Sequence, residues 1–267
     1  MIMGDRVFVM GIALWGPKTC SHHTSFRERN TEGFNHVFSI CLFLLIVTLL
    51  LPFAGSAEIT PVPAHELPEG FCYVHELIPD VILDIRYAGT HNFVGDPIDG
   101  YEAPFAVLTN EAANALKEAA DEFRSLGYRV MIFDAYRPQS AVRHFVRWSQ
   151  VKDDLRMQAE FYPDFKKKSL LVDQGYIARN SAHCRGSAID MTITDLDGNP
   201  LDMGTGFDYF GKLAWHGAKG ITEEQTAHRN LLRSVMEKHG FKAFEHEWWH
   251  YRLIKEPFKN GFDFPVK

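Results

Sequence analysis

One apolar segment, Ala188-Ile-Asp-Met-Thr-Ile193, constrains the fold of this chain most, because it carries a single carboxylate. Its composition predicts a β-strand whose alternate residues, starting with Ile189, face the core. Asp190 then faces the opposite side. An unpaired charge inside a buried strand is costly, so Asp190 needs a partner. A metal ion is one such partner.

Two motifs supply histidines that suit this purpose. His183 precedes the strand and stands close to Gly186, which can turn the backbone sharply. His250 ends the motif Glu247-Trp-Trp-His250. Two imidazoles and one carboxylate form a zinc ligand set that leaves a fourth position open, and Glu247 is placed to activate water there. The chain has 13 His, and a lone histidine is usually a surface or core residue, so from residue types alone a purely structural role stays open.

The predicted elements do not alternate regularly between strands and helices, which favours an α+β fold with a mainly antiparallel central sheet flanked by helices. Thr109 and Thr222 are predicted helix caps, and Thr222 with Gln225 forms a capping box. The predicted strands are 81–87, 128–133, 188–193 and 248–254, and the predicted helices run from Thr109 to Leu126, from Gln139 to Val151 and from Thr222 towards Gly240.

The position of Glu247 raises a geometric difficulty. In a regular strand Glu247 and His250 point to opposite faces, so both reach one metal only if Glu247 precedes the strand or a bulge intervenes. We expect Glu247 in the loop that enters the strand. We expect Trp248 and Trp249 to be packing walls that exclude water and do not contact substrate.

Charge and composition exclude some partners. The net charge is −6 without a basic block, which gives no indication of nucleic-acid binding. Residues 71–267 are predicted to form one domain, since a chain of 267 residues with 46% hydrophobic residues can bury a sizeable core.

The N-terminal region is predicted to be separate from this domain. Residues 37–57 contain no charged side chain and end in Ala54-Gly-Ser-Ala57, which is typical of a signal peptide. Residues 1–57 are therefore read as a leader, and the Pro-rich residues 58–70 as a linker. An uncleaved membrane anchor is the competing interpretation, and an early start codon would explain the long segment before the apolar run. The expected location is exported, periplasmic or cell-envelope, with membrane contact only through an uncleaved leader, or cytoplasmic if the leader is not used.

The four cysteines form no CxxC motif, which excludes a zinc ribbon or a disulfide scaffold. Only Cys72 and Cys184 would remain after leader cleavage. Whether these two pair stays open, because sequence does not fix their distance.

Several motifs in the same order resemble the zinc D-alanyl-D-alanine dipeptidases, a branch of the wider group of zinc D,D-peptidases. The resemblance covers nearly all of residues 71–267. Its motifs are Tyr87-Ala, Asn92-Phe-Val-Gly95, Asp134-Ala-Tyr-Arg-Pro138, Ser181-x-His183-x-x-Gly186-x-Ala188-x-Asp190, Met203-Gly-Thr-Gly-Phe-Asp208, Glu247-Trp-Trp-His250 and Phe262-Asp-Phe-Pro-Val-Lys267.

The resemblance implies the role of each catalytic residue. His183, Asp190 and His250 would bind one zinc ion per chain. Glu247 would be the general base for the attacking water and then the acid for the leaving amine. Arg137 would polarise the scissile carbonyl and stabilise the oxyanion.

The resemblance also implies three substrate contacts. Ser181 would hydrogen-bond the peptide backbone, while Tyr87 and Asp208 would lie near the substrate ammonium. Without the resemblance, Asp208 would be read as a solvated turn carboxylate, and a surface residue that caps a turn stays open as the alternative for Arg137. One departure concerns Cys184, because the family usually has serine there and a thiol beside a zinc ligand can compete for the metal or be oxidised.

The function implied is zinc-dependent hydrolysis of the D-Ala-D-Ala dipeptide to two D-alanines, in cell-wall dipeptide turnover or glycopeptide resistance. The first alternative is a D,D-carboxypeptidase or endopeptidase that acts on longer peptidoglycan stem peptides. The second is a catalytically inactive zinc-binding module that only recognises cell wall. Glu247 and Arg137 argue against the inactive module, since binding alone requires neither.

Overall fold

The computed structural model of the chain describes residues 66–267. The predicted leader (1–57) and residues 58–65 of the predicted linker lie outside this range. Within it, no helix combines the length and the apolar composition needed to cross a bilayer.

Seven strands occur in the described residues: β1 (Phe71–Tyr73), β2 (Ile82–Leu83), β3 (Val107–Thr109), β4 (Arg129–Asp134), β5 (Ala188–Thr194), β6 (Phe241–Phe244) and β7 (Glu247–Leu253). Five of them form a sheet in the order β2-β4-β5-β7-β6, and β1 and β3 form a separate antiparallel pair. Within the five-stranded sheet β2 and β4 are parallel, and the other neighbouring strands are antiparallel. The predicted mainly antiparallel α+β fold is confirmed.

Six helices accompany the sheet in the described range: α1 (Val74–Leu77), α2 (Asn110–Ser125), α3 (Gln139–Ser149), α4 (Gln158–Phe161), α5 (Ser169–Asp173) and α6 (Glu223–Lys238). The two longest, α2 and α6, pack against each other, α2 also against β4 and α6 against β6 and β7. They cover one face of the sheet and leave the other face for the loops and α3.

Helix caps predicted from the sequence are present. The Thr109 side chain accepts a hydrogen bond from the Ala112 backbone N–H, and α2 buries the predicted apolar stripe that includes Leu116 and Phe123. Thr222 and Gln225 form both bonds of the capping box of α6. Loss of a cap of this kind typically costs about 1 kcal/mol of stability.

Strand β5 lies at the centre of the sheet, and all of its seven residues are buried. Ile189, Met191 and Ile193 are fully buried core residues, as the alternation predicts. Asp190 points to the opposite face, where it pairs in register with His250 of β7 and Asp134 of β4. The sheet thus brings three chemically active positions side by side.

The predicted strand over 81–87 is wrong in most of its length. Only Ile82–Leu83 pair with β4, and Arg86–Ala88 form a 3₁₀ turn. Asp84 and Arg86 form an ion pair with each other across two residues, and the turn directs Tyr87 inwards, where it is buried. A continued strand would not place the Tyr87 ring in this position.

Glu247 does not lie in a loop, contrary to expectation, but is the first residue of β7. The pairing of β6 with β7 shifts between Ala243 and Phe244, so that Phe244 pairs with Glu247 and not with His250. The extra residues form a bulge, which interrupts the side-chain alternation. Trp248 and Trp249 are consecutive buried residues in this bulge, and Glu247 and His250 reach the same side.

Candidate active site

A cleft of about 350 Å³ opens on the sheet face opposite α2 and α6. Strands β5 and β7 form its floor, and loops after β2 and β4 and the segment around 175–183 form its walls. All eight predicted site residues line it: Tyr87, Arg137, Ser181, His183, Asp190, Asp208, Glu247 and His250.

Three of these side chains converge as a possible metal site. His183, Asp190 and His250 each offer one ligand atom, and these atoms lie within 4.8 Å of one another. His183 Nε2 lies 3.1 Å from His250 Nδ1 and 3.3 Å from Asp190 Oδ2. The distance from His250 Nδ1 to Asp190 Oδ1 is 2.9 Å. These three residues form the one group of potential metal ligands found in residues 66–267.

The backbone fixes the orientation of His183. Its Nδ1 lies 2.6 Å from the carbonyl oxygen of Ala135, and because a carbonyl only accepts, Nδ1 carries the proton. The lone pair of Nε2 therefore faces His250 and Asp190, the arrangement typical of metal-binding histidines. Upstream, Ser181 accepts a hydrogen bond from the His183 N–H and caps the turn. Gly186 ends that turn at φ 72°, where a Cβ would lie 2.3 Å from the Phe71 ring.

The donor spacing fits a small tetrahedral cation. Ligand atoms about 2.0–2.1 Å from zinc are about 3.3 Å apart from one another in a tetrahedron. His183 Nε2 and His250 Nδ1 are 3.1 Å apart, close to this value. Each also lies within 3.3 Å of an oxygen of the Asp190 carboxylate, His183 Nε2 of Oδ2 and His250 Nδ1 of Oδ1. The His183 lone pair also faces the Asp190 carboxylate, which is unfavourable unless a cation lies between them. The residues present therefore fit a bound metal ion.

Glu247 lies beside this group in a position suited to handle protons. Its Oε2 is 3.9 Å from His250 Nδ1. Burial raises the pKa of Glu247 to about 7, although the neighbouring His250 opposes the shift. A carboxyl group with a pKa near neutrality can accept and return a proton under ordinary conditions.

Arg137 is held by a buried carboxylate, Asp134, that is not among the predicted site residues. Asp134 is 0% exposed and accepts hydrogen bonds from Arg137 Nε (2.9 Å) and from the Tyr101 hydroxyl (2.5 Å). Its Oδ2 also lies 3.4 Å from His183 Nδ1. Arg137 Nη2 reaches Asp190 Oδ2 at 3.3 Å. Asp134 thus links the guanidinium to the metal-site histidine.

Asp208 occupies the inner end of the cleft. It is 5% exposed and accepts a hydrogen bond of 2.8 Å from the Tyr87 hydroxyl. Burial, reinforced by the charge of Asp190, raises the pKa of Asp208 well above its usual range. It is the non-glycine residue with positive φ (60°) in the described range. A buried, strained carboxylate in a cleft indicates a functional role.

The comparison with known proteins agrees with this geometry. The sequence profile of the peptidase M15 family, described as D-ala-D-ala dipeptidase, matches residues 68–267. The chain belongs to this D-Ala-D-Ala dipeptidase family.

Relatives named D-alanyl-D-alanine dipeptidase match over almost their whole length. The protein of Enterococcus faecalis is 40% identical over 202 residues, which is 75% of this chain and 100% of the relative. The protein of Enterococcus faecium is 40% identical over 74% of this chain and 98% of its own. That of Streptomyces coelicolor is 39% identical over 73% and 98%. The resemblance drawn from the motifs is confirmed.

The structure also places the two tryptophans and the two cysteines that the sequence analysis discussed in this dipeptidase-family chain. Trp248 donates a hydrogen bond to Thr205 Oγ1 and stays outside the main cleft, whereas Trp249 lines it. Cys184 is buried outside the cleft lining and outside the potential ligand group. Cys72 and Cys184 are both free thiols. Competition of the Cys184 thiol for the metal has no support in this arrangement.

Asp134 was present in the sequence as the first residue of the Asp134-Ala-Tyr-Arg-Pro138 motif, directly after a predicted strand. Its position at the end of a strand, three residues before Arg137, is the sequence signal that could have predicted its role. Tyr101, its other partner, lies in a segment without regular structure, and no sequence pattern marks it.

Proposed function

We propose that this protein hydrolyses the D-Ala-D-Ala dipeptide to two D-alanines. The observation that carries the proposal is one cleft lined by a potential metal site, by a carboxyl group with a near-neutral pKa, Glu247, and by the buried carboxyl group of Asp208. Family membership and the names of the relatives support the same activity.

We propose zinc as the metal, held by His183, Asp190 and His250. Two imidazoles and one carboxylate suit zinc and leave a coordination position open. When bound, zinc polarises the substrate carbonyl and makes water more acidic. The chain's own residues perform the remaining functions.

Glu247 handles the proton of the attacking water. Its carboxylate accepts that proton as the oxygen approaches the scissile carbonyl, and returns it to the amine that leaves. A pKa near 7 lets the same group act in both directions. The bulge in β7 is what brings Glu247 to the side of His250.

Arg137 stabilises negative charge on the former carbonyl oxygen. Its guanidinium is always charged and needs no reorganisation if its position is fixed beforehand. The hydrogen bond with Asp134 and the rings of Tyr87 and Phe145, 5.1 and 5.4 Å from its Cζ, fix that position. Ser181 also lines the cleft, where its hydroxyl can donate to the peptide backbone.

Asp208 and Tyr87 select a substrate with a free ammonium group. An ammonium that approaches the buried Asp208 loses hydration and needs a charged, hydrogen-bonded partner. When the ammonium binds, its positive charge favours the ionised form of Asp208 and opposes the raised pKa of that carboxyl group. A longer stem peptide carries no ammonium at this point and leaves Asp208 unpaired.

The decisive experiment compares hydrolysis of D-Ala-D-Ala with that of a muramyl pentapeptide, with and without a chelator. We expect cleavage of the dipeptide, little cleavage of the pentapeptide, and loss of activity on chelation that zinc restores. Faster cleavage of the pentapeptide would favour the D,D-carboxypeptidase alternative. Activity that survives complete metal removal would contradict the metal assignment.

We also propose that the protein is exported and that residues 1–57 are removed. This rests on the uncharged run over 37–57 and the small residues that end it. N-terminal sequencing of protein from its native host should begin near Glu58. An intact, membrane-bound N-terminus would support an anchor, and a soluble full-length protein in the cytoplasm would exclude both forms of export.

A further inference from the structure

The outer rim of the cleft contains two like charges in direct opposition. Lys242 of β6 pairs in register with Arg252 of β7, and both side chains line the cleft. Like charges directly opposite on neighbouring antiparallel strands destabilise a sheet. Neither residue is needed by the metal site or by Glu247, so their position requires another explanation.

The acidic groups nearby do not neutralise this pair. Arg252 Nη1 donates to Glu256 at 2.5 Å, but Arg185 binds the same carboxylate through two hydrogen bonds of 2.6 and 3.0 Å. Lys242 forms no ion pair with any carboxylate of residues 66–267. One carboxylate therefore serves two guanidinium groups, and the Lys242 ammonium remains unpaired in this range.

The unpaired charge lies at the opposite end of the cleft from Asp208. Tyr87, the partner of Asp208, follows β2 at one edge of the sheet, whereas Lys242 lies on β6 at the other edge. The candidate ligands Asp190 and His250 lie on β5 and β7 between them. The cleft therefore has an acidic residue, Asp208, on the β2 side of the metal ligands and two basic residues, Lys242 and Arg252, on the β6 side.

We propose that Lys242, with Arg252 beside it, binds the C-terminal carboxylate of the substrate and determines specificity for a free acid at that end. The inference rests on the proposed function. A free dipeptide carries an ammonium at one end and a carboxylate at the other, and its single peptide bond lies between them. In this cleft those charges meet Asp208 and Lys242, and the bond lies over the metal ligands.

The strength of this contact follows from its exposure. Lys242 is exposed, unlike the buried Asp208. An ion pair in contact with water is weakened by the solvent and by the side-chain entropy of lysine. Lysine acts as a flexible point charge and does not form a rigid fork. We therefore expect a moderate effect, expressed mainly in KM.

The test uses the full-length, zinc-loaded protein with two substrates, D-Ala-D-Ala and its C-terminal amide, D-alanyl-D-alaninamide. Both carry the ammonium, and only the first carries the carboxylate. The variants are Lys242→Ala, Lys242→Arg and Lys242→Glu. Lys255→Ala is the matched control, because Lys255 is exposed in the turn after β7 and does not line the cleft.

For Lys242→Ala we expect kcat/KM for the dipeptide to fall roughly 3- to 10-fold, with kcat changed less than KM. The value for the amide should stay within about twofold, because the amide offers no charge to lose. Lys242→Arg should retain the preference for the dipeptide over its amide. Lys242→Glu should lower kcat/KM for the dipeptide more than Lys242→Ala does. Lys255→Ala should match the wild type on both substrates.

Three results would overturn the inference. The first is an equal loss on both substrates in Lys242→Ala, and the second is an unchanged dipeptide KM in Lys242→Glu. In both cases the wild type still cleaves the dipeptide, so the proposed function stands. The third is a zinc-loaded wild-type protein that cleaves neither substrate, which overturns the proposed function and this inference together.

Discussion

The two ends of the cleft differ in how they hold their charge. At the inner end, Asp208 is buried, hydrogen-bonded to Tyr87 and built on a strained backbone. At the outer rim, Lys242 and Phe244 are exposed on an edge strand. Electrostatic interactions are stronger away from water and weaker near it. We therefore expect Asp208 at the inner end to contribute most of the selectivity for the free dipeptide, and Lys242 at the rim to contribute less.

The metal site between the two ends is the element on which both depend, so its removal should have the largest effect. In His183→Ala we expect loss of bound zinc together with activity on every substrate, because one of three ligands is missing. Metal analysis and hydrolysis of D-Ala-D-Ala measure this. His91→Ala, which changes an exposed histidine outside the cleft lining, is the control. Full zinc occupancy in His183→Ala would show that the ligand set is wrong.

Glu247→Gln should leave both ends of the cleft and the metal in place but remove the proton acceptor. We expect kcat to fall by about 10²- to 10⁴-fold, the range typical of a lost general base. Zinc content should equal that of the wild type. Near wild-type turnover would remove Glu247 from the mechanism.

Asp208→Asn sharpens the comparison at the inner end. A charge-assisted hydrogen bond contributes about 1.5–3 kcal/mol, so kcat/KM for D-Ala-D-Ala should fall roughly 10- to 150-fold. N-acetyl-D-Ala-D-Ala, which has no ammonium, should be a poor substrate for the wild type, and the variant should discriminate less between the two. Equal cleavage of both compounds by the wild type would mean that no ammonium pocket exists.

The pH dependence should separate Asp208 from the rest of the site. The pKa of Asp208 is raised by burial and by Asp190, so its carboxylate form, which binds the ammonium, gains population as pH rises. The ratio of wild-type to Asp208→Asn kcat/KM should therefore increase with pH, by at most about tenfold per unit below that pKa. Taking the ratio removes the ionisations common to both proteins. A ratio independent of pH would contradict a raised pKa.

Phe244→Ala should have the smallest effect. Phe244 is 43% exposed at the rim and lies against the His250 ring at a centroid distance of 5.8 Å. Because its ring stays in contact with water, we expect kcat/KM for the dipeptide to change by less than about threefold. Steady-state kinetics check this, and a loss above tenfold would show that the rim is as important as the inner end.

Local sequence signals predicted the parts of the fold that local interactions determine. The capping residues Thr109, Thr222 and Gln225 form their bonds within one helical turn, so the helix starts were predictable. Asp190 was predictable because a carboxylate in an apolar strand must have a partner. The strand over 81–87 was wrong because its end turns to bury Tyr87 against Asp208, which is far away in sequence.

Two features of the site could not be derived from spacing. The bulge between β6 and β7 depends on the pairing of both strands, so the sequence of β7 alone could not decide between a loop and a bulge for Glu247. Asp134 holds Arg137 in place because its two carboxylate oxygens accept hydrogen bonds from Tyr101 and Arg137, which are brought together by the fold. Such networks become visible only when the tertiary contacts are known.

The positive φ of Asp208 limits which amino acids evolution can place at the selective end of the cleft. Few side chains other than asparagine and aspartate adopt this left-handed region readily, and glycine adopts it without cost. Glycine would keep the loop but lose the carboxylate, and glutamate would keep the charge on an unfavourable backbone. A library of all amino acids at this position is therefore filtered by two independent requirements, and aspartate alone meets both.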